Sequence, residues 1–217
     1  MEDIVPPARS HDTGAASEVE APPIDLAALV GSRICHDLTN PLGAIGNGLE
    51  LLELSGQTAG PETALIAQSV AHARARVQFL RIAFGAAPPG NRIAGADIAA
   101  AVGDHSRGAR AWVHWPRLGD LERAEAKLAF LVLMCLETAL PFGGEIAVSR
   151  GPEGWLFEGE AERLRDLGTL WDVLAGSAPA TGIGPPLVQF ALAPDVAHRL
   201  GREITVETTP GGVTVRF

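Results

Sequence analysis

The residues of this chain whose types and spacing suit chemistry between two proteins lie in one short run, His36-Asp37-x-x-Asn40-Pro41. An imidazole is a nucleophile and a group carrier, provided a partner can reach it. The surrounding pattern decides whether one can. Leu38, Leu42, Ile45, Leu49 and Leu52 are spaced four, three, four, three, a helical stripe of coiled-coil type. At about 100° per residue, His36 lies about 160° round from that stripe and faces away from the core. Arg33, Asn40, Gly43 and Asn47 share its face. Small and polar neighbours leave another protein room to approach the ring. Cys35, His36 and Asp37 do not make a nucleophilic triad, because consecutive helical residues point about 100° apart and do not converge on one reacting atom.

A helix from about Pro23 or Asp25 to Leu54 must carry this run. Ser55-Gly56 ends it and residues 58–61 turn the chain. Pro61 suits the first position of a second helix, in which Ile66, Val70, Ala73, Val77, Leu80 and Phe84 repeat the four-three spacing. Two such helices joined by a short turn make an antiparallel hairpin. One hairpin encloses no core, whereas two form a four-helix bundle, so a homodimer through residues 23–87 is expected. Pro41 offers no N–H to the Asp37 carbonyl and should kink the first helix one turn after His36. Gly43, Gly46 and Gly48 each cost about 1 kcal/mol in a helix. Gly43 projects outward, where it admits a partner backbone; Gly46 and Gly48 suit either that approach or close packing between helices. His72, Arg74, Arg76 and Arg81 read as a solvated face or, in part, as a surface for an acidic partner.

The chain has 217 residues, 47% of them hydrophobic, enough for a sizeable core in one or two domains. Its formal net charge of −9 argues against nucleic acid as a direct partner. Residues 1–22 hold Pro6, Pro7, Pro22 and five acids and read as a flexible tail without the features of a signal peptide. The longest uninterrupted apolar run, Leu128 to Leu136, is far shorter than the roughly 20 residues that cross a bilayer. Cys35 and Cys135 lack metal-ligand spacing and read as reduced, partly buried thiols of a cytoplasmic protein. Ala86-Ala87-Pro88-Pro89-Gly90 signals a linker, placed at 88–94. Beyond it, Ala111 to Trp115 reads as a strand, Leu121 to Leu140 as a buried helix, Gly144 to Ser149 and Trp155 to Glu160 as a hairpin, Leu187 to Leu200 as a helix, and Glu203 to Thr208 with Val213 to Phe217 as a closing hairpin. The expected class for 95–217 is an α+β sandwich.

The string His36-Asp37-x-x-Asn40-Pro41-Leu42 resembles the H-box of histidine kinase dimerisation helices. The longer run from Cys35 through Gly46-Asn47-Gly48-Leu49-Glu50-Leu51 is similar to the ChpT-type histidine phosphotransferases of bacterial phosphorelays. This resemblance implies that His36 is phosphorylated, with Asp37 orienting its ring or biasing its charge and Asn40 hydrogen-bonding phosphoryl oxygens or a water. It further implies docking of receiver domains over Arg33, Asn40, Gly43 and Asn47. The phosphoryl donor is the receiver domain of a hybrid histidine kinase and the acceptors are response-regulator receivers. Magnesium and the catalytic aspartate pocket belong to the receiver, and this chain needs no metal or cofactor.

The C-terminal half resembles the ATP-binding domain of histidine kinases, the Bergerat fold, most clearly from Gly182-Ile183-Gly184 through Gly201-Arg202-Glu203-Ile204 to Pro210-Gly211-Gly212-Val213. The residues that hold nucleotide in that family are missing. Leu121 to Leu140 has no asparagine for magnesium, since the chain's asparagines are Asn40, Asn47 and Asn91. The adenine motif is reduced to Asp166-x-Gly168-x-Leu170, the lid segment is short, and Pro185-Pro186 removes N–H groups that would cradle phosphate. Glu137 reads as a mimic of the missing helix acid or as a solvent-facing helix end. The expectation is a degenerate domain that binds no ATP. Two rivals are an autophosphorylating kinase with a divergent pocket and a dimeric module that binds receivers without accepting phosphate.

Overall fold

The computed structural model describes residues 26–55, 61–107 and 109–217. The N-terminal tail, the turn between the first two helices and the Cys35 side chain lie outside the described residues. Helix α1 (Leu26–Ser55) and helix α2 (Pro61–Phe84) pack along one another as the expected hairpin, with Pro61 opening α2. Helix α1 runs through Pro41 without interruption.

The two ends of the hairpin have different surroundings. Near the end of α2, Phe79, Leu80, Ile82 and Ala83 are buried and belong to the same hydrophobic cluster as the C-terminal half. The carbonyls that α2 leaves unpaired at its C-terminus need donors. Two cations bond carbonyls in the last turn and just past it: Arg123 Nη2 the Arg81 carbonyl at 2.7 Å and its Nε the Ala86 carbonyl at 2.6 Å, and Lys127 Nζ the Phe84 carbonyl at 3.4 Å and the Gly85 carbonyl at 3.0 Å. Burial, with Arg199 and Arg123 nearby, pushes the Lys127 ammonium below its ordinary value. At the other end, Leu49, Leu51, Leu54 and Leu65 are exposed.

The chain after α2 is tied down at once. Strand β1 (Arg92–Ile93), within the stretch read as linker, pairs antiparallel with β3 (Leu121–Glu122). Between them come α3 (Gly95–Ser106) and β2 (Ala111–His114). Helix α4 (Arg123–Ala139) follows, then β4 (Gly144–Gly151), β5 (Gly154–Glu160), α5 (Leu170–Leu174), a 3₁₀ turn at Pro185–Leu187, α6 (Val188–Arg199), β6 (Thr205–Thr209) and β7 (Gly212–Arg216). Five strands form a sheet in the order β2-β4-β5-β7-β6, with β2 and β4 parallel and every other pair antiparallel.

One sheet face is apolar because burial alternates with the pleat: Ile146 and Val148 on β4, Trp155 and Phe157 on β5, Val213 and Val215 on β7. Helix α4 is buried nearly all round from Leu128 to Leu136, as a helix enclosed by other elements must be. Cys135 lies there, fully buried rather than partly, and burial pushes its thiol well up.

Three local features depart from the reading of the sequence. The helix expected from Leu121 begins two residues later, because Leu121 and Glu122 pair with β1. A 3₁₀ turn over Pro185–Leu187, not expected from the sequence, leads into α6, which begins at Val188, within one residue of the expected start. Helix α3 lies in a stretch that the reading of the sequence leaves unassigned; it is short, and Ile98 and Val102 are its only large apolar residues. It is seated at its start: a Cβ at Gly95 would run into the Leu118 carbonyl oxygen, and the Asp120 carboxylate accepts a bond from the Gly95 N–H at 3.4 Å.

A buried carboxylate anchors the sheet to α4. Glu125 Oε1 accepts from the Trp155 indole at 2.7 Å and from Arg150 Nε at 2.9 Å. Replacing Glu125 by alanine strands the buried indole N–H and is expected to cost about 1–3 kcal/mol, read as a lowered urea midpoint with an unchanged m-value.

Candidate functional site

Helix α1 presents His36 to solvent, its side chain 72% exposed. The next residue points the other way: the Asp37 side chain is only 8% exposed. A carboxylate so placed requires charged partners, and two guanidiniums provide them. Arg33, one turn back on α1, bonds Asp37 Oδ2 through Nε at 2.7 Å. Arg76, from α2, bonds the same oxygen through Nη2 at 2.6 Å. Burial raises the Asp37 carboxyl, but the two arginines together outweigh it and hold the group below the ordinary carboxylate value.

Both arginines use Oδ2, which leaves Oδ1 for the imidazole, 3.3 Å from His36 Nδ1. An ionised carboxylate only accepts, so Nδ1 carries the proton in this bond, and in a neutral ring the lone pair is then on Nε2. In the neutral ring this bond favours the tautomer with Nδ1 protonated and Nε2 open to solvent.

The network continues away from His36. Arg76 Nη1 lies 3.3 Å from Nδ1 of His105 on α3, and His105 Nε2 lies 2.8 Å from Glu137 Oε1 on α4. Phe79 stacks on the His105 ring at 3.9 Å. Arg33 also donates to the Pro186 carbonyl, seating the 3₁₀ turn against α1. A cleft of about 950 Å³ opens between the hairpin and the C-terminal half, lined in part by His36, Asn40, His72, Arg76, His105 and Arg110.

Asn40, Gly43 and Asn47 are exposed on the His36 side of α1, following it at intervals of four, three and four. No atom outside α1 comes within 4 Å of a Cβ placed on Gly43. Arg33 is placed differently from the expected docking face. Its side chain is 15% exposed and engaged with Asp37 and Pro186, so it holds the molecule together from within. The helical wheel put it outward because a wheel shows no second domain. Arg76 likewise leaves the basic face and turns inward, while Arg74 and His72 stay exposed. Glu137 is neither a solvent-facing helix end nor unpartnered, being committed to His105.

His105 was not singled out from the sequence, yet a signal was present. Ile98, Ala101, Val102 and His105 follow the i, i+3, i+4, i+7 spacing that puts all four on the buried face of α3. Among the described residues no group of three or more His, Cys, Asp or Glu side chains gathers as a metal site requires, and no helix is long and apolar enough to cross a membrane.

Comparison with known proteins fits this arrangement. Residues 95–212 match the model of the histidine phosphotransferase C-terminal domain. Over 192 residues the chain is 34% identical to the protein phosphotransferase ChpT of Brucella abortus (strain 2308), spanning 86% of this chain and 91% of that protein. A solved structure of a bacterial phosphotransferase aligns with a TM-score of 0.71 at 31% identity, covering 88% of this chain and 94% of the other. The class is thus that of the protein phosphotransferases. Within it, the chain belongs to the histidine phosphotransferase family.

Because the folded Asp37 carboxyl sits below its unfolded value, its contribution to stability is full above about pH 3.9 and is lost as pH falls through the lower folded value. Asp37→Asn is therefore expected to cost on the order of 1–3 kcal/mol at neutral pH. The gap to the parent should narrow below about pH 4, measured by urea titrations across pH.

Proposed function

We propose that this chain is the histidine phosphotransferase of a bacterial multistep phosphorelay. It takes a phosphoryl group from the receiver domain of a hybrid histidine kinase onto His36 and passes it to the receiver domains of response regulators, in the cytoplasm. The observation that carries this reading is the exposed His36 ring with Nδ1 held by Asp37 and Nε2 open to a partner.

In the forward step Nε2 attacks phosphorus of the receiver's aspartyl phosphate. The P–N bond forms, the P–O bond to the aspartate breaks, and the aspartate leaves as a carboxylate. No proton has to leave Nε2. The ring becomes cationic while bonded to Asp37, whose charge offsets it. The return step onto a response-regulator aspartate reverses these changes. Asn40, one turn along, is placed to hydrogen-bond phosphoryl oxygens, and Asn40, Gly43 and Asn47 offer a low-relief face to the receiver. Magnesium and the acidic pocket are the receiver's contribution.

Two further parts of the reading concern assembly and nucleotide. Leu42, Leu49, Leu51, Leu54, Leu65 and Val77 are exposed along the hairpin, and burying such a stripe against a second copy makes a four-helix bundle. The C-terminal half is a degenerate relative of the kinase ATP-binding domain that does not use ATP. Supporting this are the absent asparagine on α4, Glu137 engaged with His105, and Pro185-Pro186 seated on α1 through Arg33.

Incubated with a phosphorylated receiver, the protein should acquire label that is labile to acid and stable to base, and with Mg-ATP alone it should acquire none. His36→Ala should still bind the receiver and accept nothing. Asn40→Ala should accept label more slowly, by about the fivefold that a hydrogen bond of about 1 kcal/mol is worth. Full labelling of His36→Ala contradicts the assignment, and labelling by Mg-ATP returns the kinase reading.

In sedimentation the wild type should be a dimer, and Leu49→Glu with Val77→Glu should give folded monomers. A wild-type monomer at micromolar concentration contradicts the bundle.

A further inference from the structure

The bonds that reach His36 do not end at the hairpin. They pass from Glu137 on α4 to His105 on α3, to Arg76 on α2, to Asp37 and so to His36 on α1. Each of the first four helices supplies a member, and two members belong to the C-terminal half. The direction of every bond is set by chemistry. A guanidinium only donates, so His105 Nδ1 accepts from Arg76. His105 Nε2 therefore carries the proton and donates it to the Glu137 carboxylate. With Nη1 committed to His105, Arg76 is oriented to present Nη2 to Asp37 Oδ2, which leaves Oδ1 to the imidazole.

His105 is well placed for this office. Its side chain is 8% exposed, and its ring is fixed by stacking on the fully buried Phe79. Its ring nitrogens bond Arg76 and Glu137, and it reaches His36 only through Arg76 and Asp37, although its edge lines the same cleft. Arg33 shares the work at Oδ2 from the other side, anchored by the Pro186 carbonyl, so the loss of the His105 anchor should weaken the hold on Asp37 rather than abolish it.

We propose that His105 and Glu137 of the C-terminal half are positioning residues for phosphoryl transfer, holding Arg76 and through it Asp37 so that His36 is kept in the tautomer with a free Nε2. This rests on the reading that His36 is the phosphoryl carrier. It gives the C-terminal half a task at the reacting histidine that needs neither nucleotide nor contact with the receiver.

The test uses the full-length protein with His105→Phe, which keeps the stack on Phe79 and removes both ring nitrogens, and His105→Gln, which restores one donor and one acceptor. Long-range ¹⁵N–¹H NMR of the imidazoles reports the His36 tautomer, and rapid-quench transfer from a phosphorylated receiver reports the rate at saturation. In the wild type His36 should be mainly protonated on Nδ1. His105→Phe should shift it toward the Nε2-protonated form and slow transfer by about tenfold, with receiver Kd within about twofold. His105→Gln should recover part of both. Glu137→Gln, which weakens the acceptor with little change of shape, should move both readouts in the same direction by a smaller amount and serves where His105→Phe does not fold. Unchanged His36 spectra and rates in the folded variants overturn the proposal, as does a loss confined to receiver affinity. Absence of label on wild-type His36 instead overturns the carrier assignment, and the tautomer spectra still decide whether the chain positions the ring.

Discussion

The carboxylate of Asp37, taken out of water between two guanidiniums, is the interaction on which the rest depends. Removing a charge from water costs several kcal/mol unless partners replace the solvent. Here the partners come from the same helix, Arg33, and from its hairpin neighbour, Arg76. Meeting that demand fixes how α1 and α2 face each other at this level. It also places Arg33 against the Pro186 carbonyl and Arg76 against His105, so a local electrostatic need joins the hairpin to the C-terminal half. His36 is exposed, but the residue beside it is among the most constrained on α1.

On the proposed reading of His36 as a phosphoryl carrier, this arrangement meets a conflict built into that role. The reacting side chain must stand in solvent for a partner to reach it, and solvent-exposed side chains on a thin hairpin lose orientation. Burying the neighbour rather than the histidine keeps the ring accessible while setting its hydrogen bond. The hairpin is stiffened from one end, where Phe79, Leu80, Ile82 and Ala83 enter the common core and Arg123 and Lys127 hold the last carbonyls of α2. Toward the other end Leu49, Leu51, Leu54 and Leu65 stay exposed.

Much of this was legible in the sequence because it is periodic or local. The four-three spacing locates both helices of the hairpin, short apolar segments bounded by turn residues locate the five strands of the main sheet, and the run from Cys35 to Leu51 locates the family. Interactions between distant segments were not legible. Arg33 and Arg76 look like surface charge on a helical wheel, and only the packed C-terminal half shows that they face inward. Helix α3 is short and has only Ile98 and Val102 as large apolar residues, so its stripe is faint beside its favourable alanines, and His105 goes unread with it although its spacing from Ile98 and Val102 marks a buried histidine. Glu137 could be noticed on α4 but not understood until its partner was in place.

The most direct measurement is the regiochemistry of the phosphorylated protein. If Asp37 holds Nδ1 of His36 and leaves Nε2 free, heteronuclear ³¹P and ¹⁵N NMR after transfer from a receiver should show one phosphoramidate, on Nε2 of His36, with Nδ1 still protonated. A phosphoryl group on Nδ1, or on any other residue, contradicts the claim that Asp37 prepares this histidine for its reaction.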